Sequence, residues 1–295
     1  MESHGNSSQK NVKSPISFII ITCNEEKNIV SALASCSFAQ KVYVVDSGSS
    51  DNTREIAERY GADFIHHPWE GYARQKNWAL DNLPIQTGWI FILDADEVIT
   101  EPLRDELTGI ATGRIPTGNM GFYVNRFFVW NGKEIRHCGY YPSWNLRFFR
   151  RGKAKYEDRD VHEHMIVDGP VGYLKGEMRH EDRRGKDYIW QKHLRYADLE
   201  AREMLRYVRG DRKAGIKPSF WGNPLERRRA IKKRVWPYVL FRFLLRFFYM
   251  YFFKKGFLDG KAGLDICIFM SRYEREISKR FTKLSTLKDF EGRFP

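Results

Sequence analysis

Acidic residues are almost missing from one stretch of this chain. Between Trp221 and Lys261 only Glu226 and Asp259 carry negative charge, against eleven lysines and arginines. That imbalance supplies much of the net +13 and calls for an acidic partner. No nucleic-acid recognition module accompanies the charge, so nucleic acid is disfavoured and an anionic membrane surface or a phosphorylated substrate is expected. Cysteine is scarce too: Cys23, Cys36, Cys138 and Cys267 form no Cys-x-x-Cys pair. This argues against a zinc knuckle or a disulfide frame and fits reduced thiols in a cytosolic setting. The Gly-x-Gly-x-x-Gly and Gly-x-x-x-x-Gly-Lys-Ser/Thr fingerprints are both absent. Phosphate held by bare glycine-loop amides is thereby excluded. Residues 1–14 are polar with no apolar centre, so they read as a loose tail and not as a secretory signal.

What is present is a regular alternation. Ile16 to Ile21, Val42 to Val45, Phe64-Ile65 and Trp89 to Leu93 are short apolar, β-prone runs, as expected of strands buried on both faces. Helix-forming sequence separates them: Ile29 to Ser35, the stretch after Asp51-Asn52 that Gly61 ends, and Gly71 to Leu83. This β-α-β-α-β-α-β order predicts an α/β domain with a mostly parallel sheet. Ligands of such sheets bind outside the carboxyl ends of the strands. Three strands end there in polar clusters: Thr22-Asn24-Glu25, Asp46-Ser47-Gly48-Ser49, and Asp94-Asp96. Two carboxylates at i and i+2, where a buried strand gives way to a loop, can present oxygens to one hard divalent cation that also holds phosphate. An isolated Asp-x-Asp more often makes a turn or caps the next helix, so the convergence of the three clusters carries the weight.

Beyond Pro102, which is placed to start a helix, the texture changes. Phe122 to Trp130 and Trp144 to Phe149 read as antiparallel strands rich in aromatics, the second accompanied by Arg147, Arg150 and Arg151. A polar stretch, Tyr156 to His164, and then His180-Glu181-Asp182 follow. Trp190, Leu194, Ala197, Ala201, Met204 and Val208 recur in steps of four and three, which marks an amphipathic helix. Trp236 to Phe253 is almost wholly apolar. As one helix its eighteen positions would span roughly 27 Å, but Arg242 and Arg246 near its centre would each cost about 2.5–3.5 kcal/mol in a bilayer core. The expectation is therefore an interfacial helix whose stripe of Tyr238, Arg242, Arg246 and Tyr249 faces lipid headgroups. The chain divides on this reading into a tail (1–14), a catalytic domain (15–184), a helical region (185–281) with the membrane segment 236–253, and a second tail (282–295).

Four motifs in one order, Thr22-Cys23-Asn24-Glu25-Glu26, Asp46-Ser47-Gly48-Ser49-Ser50-Asp51, Ala73-Arg74-Gln75-Lys76-Asn77 and Asp94-Ala95-Asp96-Glu97, together resemble the family-2 glycosyltransferases, over roughly residues 15–184. Within that family Val161-His162-Glu163-His164, Asp168-Gly169-Pro170 and Gly256-Phe257-Leu258-Asp259-Gly260 look like the bacterial lipopolysaccharide core β-glucosyltransferase group. The resemblance implies a GT-A nucleotide-diphospho-sugar fold with a helical, basic C-terminal extension. It also implies an inverting transfer of a hexose, glucose first, from a UDP-sugar to a lipid-linked saccharide. Thr22, Asn24, Glu25, Asp46 and Ser47 would hold the nucleoside, with Asp46 accepting the uracil imide proton. Arg74 and Lys76 would face the diphosphate, their other reading being a solvated helix face. Asp96 would bind Mg2+ or Mn2+, with Asp94 on ribose or a metal-bound water and His180 as a further ligand. The base would be Glu163, flanked by two histidines, with Asp160 as runner-up and Glu157 and Asp158 as other choices. The setting implied is the inner face of the cytoplasmic membrane, with the protein peripheral to it. Two other readings share the same cleft: a polyprenyl-phosphate glycosyl synthase, and a nucleotide-sugar binding protein without turnover.

Overall fold

The computed structural model describes residues 13–157, 165–208, 221 and 236–291. It resolves into two compact units. The first comprises the described residues within 13–129 and 141–183, and the second those within 130–140 and 184–291.

In the first unit the apolar runs form β1 (Ser14–Thr22), β2 (Ala39–Asp46), β3 (Asp63–His66) and β4 (Trp89–Asp94). Between them stand α1 (Ile29–Ser35), α2 (Thr53–Arg59) and α3 (Tyr72–Asn82). There follow β5 (Glu97–Ile99), α4 (Glu101–Ala111) with its early proline, and β6 (Gly121–Trp130), which runs to the edge of the unit. The first unit resumes with β8 (Trp144–Arg150), β9 (Ala154–Tyr156), β10 (Met165–Val167) and β11 (Val171–His180), while β7 (Lys133–Ile135) belongs to the second unit.

The sheet order is β3-β2-β1-β4-β8-β6-β11-β5. β3, β2, β1 and β4 run parallel to one another, β8 is antiparallel to both β4 and β6, and β11 is parallel to β6. The alternation of buried strands with helices thus gives the mostly parallel α/β sheet that the sequence predicts. Strand side chains alternate between faces, and two cores result. One gathers Phe18, Ile20, Phe91 and Phe148 under α1, α2 and α4 through Ile29, Leu33, Ile56, Leu103 and Leu107. The other sets Ile19, Val45, Ile90, Ile92 and Leu146 against Ala73 and Ala79 of α3. Burying a residue such as Phe91 is worth about 1.5–3 kcal/mol, and cutting it to alanine would cost about 3–5 kcal/mol.

The second unit holds α5 (Lys186–Val208), α6 (Arg242–Phe248), a π-turn (Tyr249–Phe253), a 3-10 turn (Gly256–Asp259) and α7 (Gly260–Glu291). Four expectations need correction here. The 282–295 stretch is helical as far as Glu291, because α7 continues unbroken through it. Val208 is exposed, and Leu205 joins Ala197, Ala201 and Met204 in the buried face of α5. Residues 236–253 do not form one helix either: Phe241 sits in the left-handed region at φ 53°, and α6 starts only after it. The supposed headgroup stripe is split: Tyr238 and Tyr249 are exposed, but its two arginines turn to a carboxylate of α7. Arg242 is 2% exposed and, with Arg246, is paired to the buried Glu274 of α7 at 3.0 Å each. Trp236 Nε1 donates to the same carboxylate at 2.9 Å. A guanidinium with a buried carboxylate in reach is far better satisfied than one held against lipid, so the cations turn inward. Leu244, Leu245, Phe248 and Phe252 are left exposed.

Candidate active site

The Asp94–Asp96 turn is held by the ladder that follows it. β5 leaves the turn and pairs antiparallel with the end of β11, so that Glu97 faces His180 and Val98 faces Arg179. Glu181 N donates to Asp96 O at 2.9 Å. This register carries His180 Nε2 to 3.3 Å from Asp96 Oδ2, with the edge of the Phe128 ring beside the imidazole. The two residues that the family resemblance pairs as metal ligands are brought together by backbone pairing between segments far apart in sequence. Among the described residues no three His, Cys, Asp or Glu side chains gather as a metal cluster.

Asp94 is differently placed. Arg147 Nη2 lies 2.6 Å from its Oδ2 and Lys76 Nζ 3.9 Å from its Oδ1. Burial alone would push this carboxyl up, but the Arg147 and Lys76 charges outweigh it and hold the group well below the usual carboxylate range. Asp94 therefore stays ionised and committed to cations. Lys76 is buried, its ammonium 5.0 Å over the Tyr156 ring, whereas Arg74 is exposed, so the two candidates for the diphosphate part company.

The group that organises this corner stood in the fourth motif with no role given to it. Glu97 is fully buried; its Oε1 accepts from Arg147 at 2.9 Å and Arg126 at 3.0 Å, and its Oε2 accepts Asp94 N at 3.0 Å. Arg147 reaches both acids because of a bulge. Phe122 pairs with Phe148 but Tyr123 pairs with Leu146, which leaves Arg147 as the extra residue of β8. Such a bulge re-aims one side chain without breaking the strand. A lone arginine inside the apolar run Trp144 to Phe149 was the available signal.

The nucleoside candidates form an interlocked pair of loops at the tips of β1 and β2. Asp46 is buried and accepts from Gly48 N at 2.8 Å, Ser49 N at 2.7 Å, Thr22 Oγ1 at 3.0 Å and the Ser49 hydroxyl. Asn24, at φ 55°, donates its backbone N–H to Ser49 Oγ at 2.7 Å, and its Oδ1 accepts from Ser50 N at 2.8 Å. Glu25 N donates to Thr53 Oγ1 at 2.9 Å, and its carboxylate accepts from Asn28 at 2.8 Å. Ser47 Oγ accepts from the buried Gln75, which also bonds His67 on its ring at 2.9 Å. Sequence reasoning gave Gln75 no role beyond its place in the third motif and did not name His67. Asn77 makes a two-point bond to the backbone of Tyr156, at 2.9 and 2.8 Å, and so anchors β9 to α3. Asp46 and Asp94 flank β1, in register with Thr22 and Ile21 respectively, which puts the two strand tips about 10 Å apart. They share one rim. Glu163, Asp160, Asp158 and His162 lie outside the described residues.

A parallel α/β core whose strand tips collect acids and cations at one rim is a nucleotide-type site, and comparison with known proteins specifies it. The profile of "Glycosyl transferase family 2" matches residues 17–163. "Lipopolysaccharide core biosynthesis glycosyltransferase LpsC" of Rhizobium meliloti (strain 1021) is 30% identical over 71% of this chain and 76% of its own length. An uncharacterized glycosyltransferase of Rickettsia prowazekii (strain Madrid E) is 24% identical over 83% of this chain and 81% of its own. Among solved structures, glucosyl-3-phosphoglycerate synthase from Mycobacterium tuberculosis, in complex with Mn2+, UDP and glucosyl-3-phosphoglycerate, superposes with a TM-score of 0.40 at 17% identity, over 64% of this chain and 80% of that one. The chain belongs to glycosyltransferase family 2, as its four motifs foretold.

Proposed function

We propose that this protein is a metal-dependent, inverting glycosyltransferase that moves a hexose from a UDP-sugar to a lipid-linked saccharide of the lipopolysaccharide core type. The observation that carries the metal-dependent part is the Asp96–His180 pair at 3.3 Å, beside Asp94 with Lys76 and Arg147. A carboxylate and an imidazole at the mouth of a rim suit Mn2+ better than Mg2+, which prefers oxygen and gives up water reluctantly. Asp96 and His180 would hold that cation; when bound, it supplies Lewis-acid stabilisation of the departing diphosphate. Lys76 and Arg147 place positive charge where the diphosphate develops its own negative charge. Asp46 receives the uracil imide by exchanging the Ser49 hydroxyl for it, and Thr22, Asn24, Glu25 and Ser47 keep the surrounding loops in place. Glu163 takes the proton from the acceptor hydroxyl, with Asp160 as the alternative. Glucose is the hexose that the resemblance names, and the core saccharide follows LpsC.

The second unit supports a peripheral position on the inner face of the cytoplasmic membrane. No helix among the described residues is long and apolar enough to cross a bilayer. The exposed Phe241, Leu244, Leu245, Phe248 and Phe252 instead form an apolar surface flanked by the exposed Lys254 and Lys255, which suits the headgroup boundary of an anionic membrane.

A thermal-shift titration of the full chain tests the donor site. UDP is expected to stabilise the protein only with Mn2+ present, by about 2.7 kcal/mol at a hundredfold excess over Kd. Asp96→Ala should abolish the effect. Equal stabilisation in the presence of chelator would remove the role given to Asp96. Glu163→Gln should keep donor binding and lose transfer; full transfer by that variant would move the base to Asp160, and full transfer by Glu163→Gln and Asp160→Asn alike would point to a lipid phosphate acceptor, which needs no base.

A further inference from the structure

Three aromatic side chains outside the donor site make one open patch. Tyr123 stacks on Tyr173 with centroids 5.0 Å apart and planes 17° from parallel, and Trp144 meets Tyr173 edge-on at 5.0 Å. Tyr173 is 63% and Trp144 42% exposed. Single exposed aromatics are ordinary, but a contiguous group marks a binding surface.

Strand alternation fixes the side of the sheet on which the patch lies. Ile90 and Ile92 share a core cluster with Leu146, and Asp94 stands two residues beyond Ile92. Trp144 stands two residues before Leu146, Tyr123 lies opposite Leu146, and Tyr173 lies opposite Tyr123. All three rings therefore leave the sheet on the same face as Asp94. Trp144 is three residues along β8 from Arg147, which touches Asp94; that is about 10 Å of strand.

A polar cluster borders the rings on the same face. Asn125 lies opposite Trp144 in the ladder. It donates to Glu177 Oε1 at 2.8 Å, and the Tyr141 hydroxyl donates to the same oxygen at 2.7 Å. A hydrocarbon chain has no use for a carboxylate and an amide at its side. A sugar ring does: its C–H face stacks on the electron-rich face of an aromatic ring, while its hydroxyls seek carboxylate and amide partners.

Resting on the transferase reading, we infer that Tyr123, Trp144 and Tyr173, with Glu177 at their edge and the buried Asn125 holding that carboxylate in place, form the subsite that binds a sugar ring of the acceptor. The rings hold a unit of the acceptor saccharide next to the donor site, which leaves the lipid portion of the acceptor no part in this contact.

The test uses the full chain and a deacylated lipopolysaccharide core oligosaccharide as probe. Its binding is titrated without donor, and its KM is measured with UDP-glucose and Mn2+. Tyr173→Ala and Trp144→Ala are each expected to raise Kd and acceptor KM about tenfold, and Tyr173→Phe to restore both to within about threefold of wild type. Tyr173 is the most exposed of the three, so its truncation is the variant least exposed to a folding defect. Unchanged oligosaccharide affinity in both alanine variants overturns the subsite. So does a loss confined to the intact, acylated acceptor, which would assign the rings to lipid. A wild-type protein that binds the oligosaccharide through these rings but transfers nothing would instead sink the transferase reading and leave the platform standing.

Discussion

Arg147 and Glu97 form the centre of one buried ion cluster at the tip of β4. Glu97 is sealed from water with Arg147 and Arg126 as its charge partners, and Arg147 at 5% exposure also neutralises Asp94. Removing one partner of such a buried set leaves an uncompensated charge, so Arg147→Met is expected to cost about 3–5 kcal/mol in urea unfolding. A loss below about 1 kcal/mol would show that Arg126 alone suffices. His193 is a second residue whose protonation is coupled to packing. It lies against Phe269 and Tyr273, with Nδ1 2.8 Å from Ile189 O. Burial depresses its pKa below the usual 6.5, helped by Lys192 and Arg246 and opposed by the Ile189 carbonyl and Glu200. The folded state therefore disfavours the protonated ring. Its contribution to stability is complete above pH 6.5 and is lost as the pH falls through the depressed folded value. Thermal melts of the full chain at pH 8 and pH 5.5 should differ by less in His193→Phe than in wild type; an equal difference in the two would clear His193 of this role.

At the scale of elements, one buried carboxylate of α7 gathers most of the charge that α6 turns toward it. Glu274 takes Arg242, Arg246 and Trp236 together, and Arg242 Nε also donates to Ser278 at 2.7 Å. Glu274→Gln should destabilise the second unit by about 3–5 kcal/mol, because Arg242 stays buried without its counter-charge. The same pairing is what turns the apolar side of α6 outward, with Leu244 and Phe248 both exposed on it. Leu244→Ser combined with Phe248→Ser should weaken sedimentation with anionic vesicles while leaving the Arg242–Glu274 pair intact. Undiminished binding by this double variant would place the membrane contact elsewhere. The Gly256-Phe257-Leu258-Asp259-Gly260 motif has an architectural duty nearby. Asp259 is buried and accepts His137 N and His137 Nδ1, each at 2.8 Å, which ties the 130–140 excursion into the second unit. Gly263 leaves room for this turn, since a Cβ there would meet Gly256 O at 2.1 Å.

For the whole molecule, the proposed membrane contact would draw its strength of attraction from the net +13 and its hold from the exposed apolar side chains. Vesicle binding should therefore weaken between low salt and about 0.5 M salt, as screening shortens the reach of the charges, yet persist in part through the apolar contact. Complete release at that salt concentration would reduce the association to charge alone.

The sequence by itself determined the strands, the order of the four motifs and hence the family, because apolar runs and turn residues are local signals. It also put Asp96 and His180 forward as partners, although only through resemblance. Tertiary structure decided the rest. The ladder between β5 and β11 brings His180 to Asp96, and a one-residue bulge turns Arg147 onto Asp94 and Glu97. Helical periodicity put Arg242 and Arg246 on one stripe but could not say which way it faced. That direction depends on Glu274, twenty-eight residues beyond Arg246, because a buried charge goes where its counter-charge waits.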